Sequence, residues 1–421
     1  MSEEELRRDR SRAARAPRAT GIARHGRLPR SNAWKTAFGV IGSALAVALV
    51  ATTSVAAIAV HQFSSELGEN AVVINETSVP IPEIGAYEGG FNMLVVGSDA
   101  YYDRDSTLND VNILIHVSAD QTSATAVSIP RDLVVPFPPC TNPETGTSTS
   151  AASGLPINNA LSYGGLKCVV DVVELLTGLE IQYAGMIGFG GVIAMSDAVG
   201  GVEVCVASDI DDSYVGLHLK AGYRTLKGAT ALKFLRSRHG VGDGSDLTRI
   251  SSQQVYLSAL LRKLKSDDTL TDVGKLISLT QAAAKNMSLS EELTQPATII
   301  AMAKALNNIP MDRITFVQYP GTTGVGGIYT GKVAPIQATA DALFAAIKAD
   351  KAVGVEEAGD GRGSVADPNA TPEPSETPSS DPSASADPSA SPTKTSEASE
   401  LVTIPNLRGQ TAADQTCTIG N

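Results

Sequence analysis

Arg131 follows an apolar run directly in SIPRDL, where a strand would end and the chain open toward a cleft, with Pro130 fixing the backbone before it. Arg236 and Arg238 flank Ser237 in LKFLRSRHG. In an extended segment, residues two apart point the same way and would pair their guanidinium groups. Arg249 stands in DLTRISSQQ, beyond a loop containing Gly240, Gly242 and Gly244. A guanidinium donates paired hydrogen bonds to phosphate oxygens and keeps its charge at any working pH, so these positions suggest phosphate recognition. Asp99 ends VVGSDA and Asp110 precedes the next apolar run in LNDVNIL. Two carboxylates at neighbouring strand ends can share a Mg²⁺ ion that bridges phosphate oxygens. Each residue also has an ordinary reading: surface ion pairing for an arginine, turn capping for an aspartate.

Positioning these groups requires strands and helices in alternation. Phe91–Val96, Asn112–Val117 and Thr125–Ile129 read as strands, the last two joined by a hairpin turn at SADQTS. Asn158–Thr177 has helical spacing and stops at Gly178. Ile181–Ile187, Val202–Val206 and Arg313–Gln318 are further strands, and Leu247–Lys265, Thr271–Met287, Glu292–Asn307 and Pro335–Ala349 are helices. Asp246 is a candidate N-cap for the first of these four. At about 100° per residue, Ile250, Leu257, Leu260, Leu261 and Leu264 share one arc of that helix. Gln253 falls inside the arc and Arg249 at its edge, while Thr248, Ser252, Arg262 and Lys263 lie opposite. A buried Gln and Arg must be paired or line a polar cavity. The apolar residues at Leu257–Leu264 and Ala297–Ala305 are core, or the wall of a tunnel for a lipid chain. The pattern predicts an α/β fold around a largely central sheet over residues 89–350.

The flanks are different in kind. The chain has 421 residues and a formal net charge of −12, yet its first 35 residues carry ten basic and four acidic side chains. From Thr36 to Val60 there are 25 residues without a charge. At roughly 1.5 Å per helical residue this run exceeds a bilayer core of roughly 30 Å. The basic flank puts the N-terminus in the cytoplasm, with Trp34 as an interfacial anchor, and leaves the rest outside a single-pass cell-membrane protein. The reading is therefore a basic leader over 1–35, a transmembrane helix over 36–60 and a stalk over 61–88. After the folded domain come a Pro/Ser/Thr-rich disordered linker over 351–400 and a short C-terminal segment over 401–421, too short to fold alone.

The acidic balance argues against a nucleic-acid partner held by bulk charge. Four cysteines without a CxxC pair argue against a zinc ribbon, and no GxSxG elbow supports a serine hydrolase. Outside the cell, Cys140, Cys168, Cys205 and Cys417 allow three pairings or free thiols. The favoured one is Cys140–Cys168, closing the intervening loop onto the next helix, with Cys205–Cys417 fastening the tail to a sheet edge.

The segments NMLVVGSDA, LNDVNILIHV, AVSIPRDLVVPFP, INNALSYGG, LTGLEIQYAGMIGFGGVIAMSDAVGGVEVCV, LKGATALKFLRSRHG and DLTRISSQQ, in this order, resemble the successive blocks of LytR–CpsA–Psr (LCP) proteins. The resemblance covers most of residues 90–260. It implies an α/β/α domain with a central mixed sheet that binds a polyprenyl-pyrophosphate-linked glycopolymer and transfers the glycan phosphate to peptidoglycan, assisted by Mg²⁺ or Mn²⁺. By motif, Asp99 and Asp110 correspond to the acidic metal and catalytic positions and Arg131 to the phosphate-binding arginine at the active centre. Arg236 and Arg238 match the paired arginines, and Arg249 with Gln253 the later Arg–Gln block. One departure is Leu108-Asn109-Asp110, where many members have Arg-Ser-Asp; Arg104 is the nearby cation that could replace the missing one. A pyrophosphatase acting on the same donor, or a non-catalytic binder or scaffold, would use the same arginines. A transcriptional regulator does not fit, because the short cytoplasmic leader holds no helix-turn-helix pattern.

Overall fold

The structure, a computed structural model, describes residues 71–75, 89–99, 107–143, 145–370 and 400–421, with scattered positions between 34 and 68. Contacts divide the chain into two units, 1–59 and 60–421. In the first, Trp34, Phe38 and residues 41–43 are helical, and the Trp34 and Phe38 rings lie 6.0 Å apart. The rest of the expected span over 36–60 lies outside the described residues, as do the leader over 1–33, most of the stalk, Arg104 and residues 371–399. Among the described residues no helix is long and apolar enough to cross a membrane.

In the second unit, alternating apolar residues form β1 (Phe91–Ser98) and β2 (Asn109–Val117), and the wholly buried Ala124–Ile129 forms β3. Helix α1 (Ala160–Thr177) ends at Gly178, whose left-handed backbone (φ 64°) donates its N–H to the Glu174 carbonyl. Then come β4 (Tyr183–Ile187), α2 (Phe189–Ala198), β5 (Val202–Val206), β6 (Ile210–Asp212), β7 (Leu217–Leu219) and β8 (Gly222–Leu226). Helix α3 (Gly228–Arg236) and the long α4 (Asp246–Ser266) are next. They are followed by α5 (Val273–Ala284), β9 (Met287–Leu289), α6 (Pro296–Asn308), β10 (Ile314–Gln318) and α7 (Gln337–Lys348). The last strands are β11 (Ala352–Gly354), β12 (Ser364–Ala366), β13 (Leu401–Thr403), β14 (Gly409–Thr411) and β15 (Thr416–Thr418).

The central sheet runs β9-β4-β1-β2-β3-β10-β14 and is mixed. β1–β4 and β3–β10 are parallel, the other pairs antiparallel. Its two faces follow the strand alternation. Leu94, Val96, Leu114 and Val127 pack with α1 and α7, while Phe91, Ile113 and Ala126 pack with α6 on the other side, where Met93 and Val95 join them. A smaller sheet, β8-β5-β15-β12, shares a third apolar cluster with α3 and α4. The result is helix–sheet–helix layering.

Four features depart from the expected pattern. The helix expected over Thr271–Met287 stops at Ala284, and Met287–Leu289 joins the central sheet as an edge strand. That expected over Glu292–Asn307 is a 3₁₀ turn (Glu291–Thr294) followed by α6, with Pro296 in its first turn, where a missing N–H costs nothing. The folded chain does not end at 350. β11 and β12 are packed, and the buried Asp360 accepts the N–H groups of Arg362, Gly363 and Ser364. The C-terminal segment extends the central sheet through β14 and enters the small sheet through β15. A segment too short to fold alone is thus ordered by strands already in place.

This last contact also changes α4. Thr248 and Ser252, expected on the polar side, are fully buried, and C-terminal residues cover the helix at Thr248, Ser251 and Ser258. Asp360 accepts the Ser251 hydroxyl, and Gln410 donates to the Ser258 hydroxyl. A side chain at Gly363 would meet the Thr248 carbonyl at 2.6 Å, so only glycine permits this approach. Disulfides join Cys140 to Cys168 and Cys205 to Cys417, the favoured partners.

Candidate active site

Strand register brings three of the candidate residues to one edge of the central sheet. Ser98 pairs with Asn109, and Asn112 with Ile129, so Asp99, Asp110 and Arg131 stand at the same strand ends. Gly97 pairs with Val111 while Ser98 pairs with Asn109, which leaves Asp110 as the extra residue of a bulge. Such a bulge re-aims a side chain away from the ladder. Buried Asn109 braces it, donating to the Asn112 side chain (2.7 Å) and the Ile157 carbonyl (3.1 Å) and accepting the Leu161 N–H. Asp99, also buried, accepts the Leu108 N–H at 2.8 Å.

The bulged Asp110 carboxylate accepts Arg131 Nη1 at 2.7 Å. Arg131 Nε lies 3.7 Å from Asp132 Oδ2 and 3.8 Å from Asp246 Oδ1. Lys332 Nζ approaches the other Asp132 oxygen at 2.8 Å. Burial works against the Arg131 charge, but Asp110 above all, with Asp246 and Asp132, more than offsets it and raises the guanidinium above its ordinary pKa.

The start of α4 supplies the rest of the cluster. Its N-cap is Ser245, which accepts the Thr248 N–H, and not Asp246 as expected. Asp246 is one residue further in and 5% exposed, with Oδ1 2.7 Å from Arg249 Nη2. Residues three apart share a helix face, which sets this pair. Arg249 Nη2 also donates to the Asp110 carbonyl at 2.7 Å. Asp246 therefore faces both Arg131 and Arg249. Its two oxygens, with Arg131 Nε and Arg249 Nε, are buried without an aligned hydrogen bond among the described residues. Unmet polar capacity of this kind is costly; an anion would satisfy the two guanidinium N–H donors, while the Asp246 oxygens call for a hydrogen-bond donor or a cation.

The second pair of arginines is built otherwise. Arg236 is not in an extended segment but ends α3, exposed, with its guanidinium carbon 4.3 Å from the centre of the Phe189 ring. Buried Asp212 shapes the turn beyond the helix. It accepts the Ser237 hydroxyl (2.8 Å) and the N–H groups of Arg238 (3.0 Å), Gly240 (3.2 Å) and Tyr214 (3.1 Å). Burial pushes the Asp212 carboxyl up, but these four donors outweigh it and leave its pKa below the ordinary carboxylate value. Arg238 Nε is buried and has no hydrogen-bond partner among the described residues. Gln253 donates to the Leu235 carbonyl at 2.8 Å, closing the last turn of α3 rather than reaching Arg131.

The structure thus joins Arg131, Arg249 and Asp110, with Asp99 at the same sheet edge. Arg236 and Arg238 precede the glycine loop that leads into α4, and no contact among the described residues links them to Arg131. Asp132, Asp212, Asp246 and Lys332 are site residues that the sequence pattern does not assign. For Asp246 a signal exists, since Asp-x-x-Arg spacing at a helix start places both groups on one face.

Beneath the odd-numbered face of β1 lies a cavity of about 420 Å³, walled almost wholly by apolar side chains, including Met93, Val95, Leu235, Leu257, Leu260 and Met302. Val95 is four residues before Asp99, and Leu235 immediately precedes Arg236. Asp99 and Asp110 offer hard carboxylate oxygens of the kind Mg²⁺ or Mn²⁺ takes, so the donor chemistry fits. Among the described residues, the one group of three or more metal-binding side chain types is Cys205, Asp367 and Cys417, whose cysteines form a disulfide.

The profile of the LytR_cpsA_psr family matches residues 51–348. The cell wall biosynthesis protein LcpA of Corynebacterium glutamicum is 30% identical over 275 residues, 58% of this chain and 52% of its own. The polyisoprenyl-teichoic acid–peptidoglycan teichoic acid transferase TagT of Bacillus subtilis is 24% identical over 66% of this chain and 85% of its own. The chain spans about half the length of the corynebacterial relatives it matches. In fold it is similar to the protein gbs0355 of Streptococcus agalactiae, with a TM-score of 0.52 at 20% identity, over 62% of this chain and 88% of that one.

Proposed function

The chain belongs to the LytR–CpsA–Psr family, and on that premise we propose that it is a phosphotransferase of cell-wall assembly. It moves a glycopolymer phosphate from a polyprenyl-pyrophosphate carrier to a hydroxyl of peptidoglycan. The transferase name of the Bacillus relative supports this class of reaction. The observation that carries it is the buried convergence of Arg131 and Arg249 on Asp246, with hydrogen-bonding capacity left over at the ends of β1, β2 and β3.

Phosphoryl transfer mainly asks a protein to position groups and stabilise charge. Arg131, Arg236, Arg238 and Arg249 grip the pyrophosphate and hold its oxygens against the developing charge. The acceptor oxygen forms a bond to the phosphorus that bears the glycan, and the bond from that phosphorus to the bridging oxygen breaks. Polyprenyl phosphate leaves with that electron pair. Asp99 or Asp110 takes the proton of the attacking hydroxyl. The same two carboxylates would hold Mg²⁺, which when bound supplies Lewis-acid neutralisation of phosphate oxygens. Gln253 acts on α3, keeping Arg236 in place. The apolar cavity takes the first isoprene units of the carrier. Residues 36–60 anchor the protein in the membrane with the N-terminus inside, so the energy comes from the donor's own pyrophosphate bond.

Incubation of purified protein with a prenyl-pyrophosphate-linked glycan and peptidoglycan fragments tests the reading by its products. Glycan phosphate joined to peptidoglycan is expected. Free glycan phosphate would make the protein a pyrophosphatase, and unchanged donor a binding or scaffold protein.

A further inference from the structure

Tyr214 is the most exposed aromatic residue among the described ones, at 80%. It stands in the turn between β6 and β7, and its ring stacks on that of His239, with centroids 4.1 Å apart and planes inclined by 28°. One face of the phenol is covered by the imidazole, and the remaining surface is turned to water. A single exposed aromatic is ordinary on a protein surface; what sets this one apart is the ring stacked behind it and the turn it shares with Arg238.

The placement is not incidental to the arginines. Asp212, the last residue of β6, accepts the Tyr214 N–H with one oxygen and the Ser237, Arg238 and Gly240 donors with the other. His239 lies between two of those donors, directly after Arg238. A single buried carboxylate therefore fixes the aromatic stack and the Arg238 backbone in one rigid turn. Side-chain rings contribute area at small entropic cost, since each has only two rotatable bonds.

We propose that Tyr214, backed by His239, is the platform for the first sugar of the donor, the residue attached to the pyrophosphate. This rests on the phosphotransferase reading and adds to it a subsite and its chemistry. Arg238 and His239 are consecutive residues, and on this proposal the glycan of a phosphate held by Arg238 lies beside the stack. The C–H face of a pyranose covers the exposed phenol ring and removes apolar surface from water, while the phenol hydroxyl remains free for a sugar hydroxyl. The platform reads ring shape rather than charge, so its selectivity is for a glycosylated over a bare pyrophosphate.

The test is calorimetric binding to the full chain in detergent with two probes. One is geranylgeranyl pyrophosphate, and the other is the same lipid pyrophosphate carrying one N-acetylhexosamine. Tyr214→Ala is expected to weaken the glycosylated probe about fivefold to tenfold and leave the bare probe unchanged. Tyr214→Trp should retain the sugar preference, and Arg238→Ala should weaken both probes alike. Loss of both probes in Tyr214→Ala, or of neither, overturns the platform. If the unaltered protein binds the bare probe, that failure is the platform's alone. If it binds neither probe, the phosphotransferase reading falls and the platform with it. Circular dichroism of each variant checks the fold, which the exposed ring does not support.

Discussion

Arg131 and Arg249 stand among carboxylates, whereas Arg236 and Arg238 have no carboxylate within ion-pair distance among the described residues. The first pair is held by charge: Asp110, Asp132 and Asp246 surround it, and Arg249 is almost wholly buried. The second is held by its backbone, through α3, Gln253 and the four donors on Asp212, while the Arg236 charge meets a phenyl ring and neither meets a fixed anion among the described residues. The two pairs should therefore fail differently. Removing a charge from the first damages the fold as well as the site, and removing one from the second damages binding alone.

Arg249→Ala is expected to have the largest effect on stability, a loss of about 3–5 kcal/mol by urea unfolding, because the buried Asp246 loses its close partner and keeps only Arg131 Nε at 3.8 Å. Adding Asp246→Asn should recover much of it. If Arg249→Ala is as stable as the parent, the first pair is not held as described. Next in size is the disulfide behind the second pair. The C-terminal residues support the arginine loop, with Gly242 N–H on the Ile419 carbonyl and Asn421 N–H on the Gly240 carbonyl. Cys205→Ser/Cys417→Ser should cost roughly 2–4 kcal/mol, and hydrogen exchange at 238–244 should rise more than at 129–132. Equal exchange in both places would remove the distinction.

Asp212 gives the comparison a pH dependence. Its folded pKa is depressed, so its contribution is present above the unfolded value of about 3.9 and is lost as pH falls through the folded one. The Tyr214–Arg238 turn should hold its order through neutral pH and loosen only below about pH 4. Loosening near pH 6 would point to another group. Smallest is the stability change in Arg238→Ala, within about 0.5–1 kcal/mol, since the residue's backbone bonds survive.

The part of this arrangement that is legible in the sequence is local. Alternation marks β1, β2 and β3, and an arginine just beyond a strand's last apolar residue lies at a strand end whatever the tertiary contacts. The periodicity of α4 likewise shows that Arg249 and Gln253 are inward. What is not legible depends on distant contacts. Thr248 is buried with Ser251 and Ser258 because residues 360–363 and 410 lie over this side of the helix, more than a hundred residues away in sequence. Strands of three residues such as β12 and β15 carry no period to read. Asp246 next to Ser245 is ambiguous in one dimension, since either residue can cap a helix, and only the chain path before the helix decides. Arg236 is misread because Arg-Ser-Arg suits a strand and a helix end equally, and the glycines after it do not discriminate. Asp212 looks like a turn residue, and its wider role rests on three donors more than twenty residues away.

The central claim is that Arg131, fixed by Asp110 and Asp246, grips the phosphate that is transferred. The most direct measurement is the rate of glycan transfer to peptidoglycan by Arg131→Ala and Arg131→Lys, with unfolding curves for both. Arg131→Lys keeps the charge among the three carboxylates and should stay folded, yet lose transfer by about 10²–10³, because an ammonium cannot reproduce the two-pronged donor. Transfer at the parental rate by a folded Arg131→Lys or Arg131→Ala protein would contradict the account.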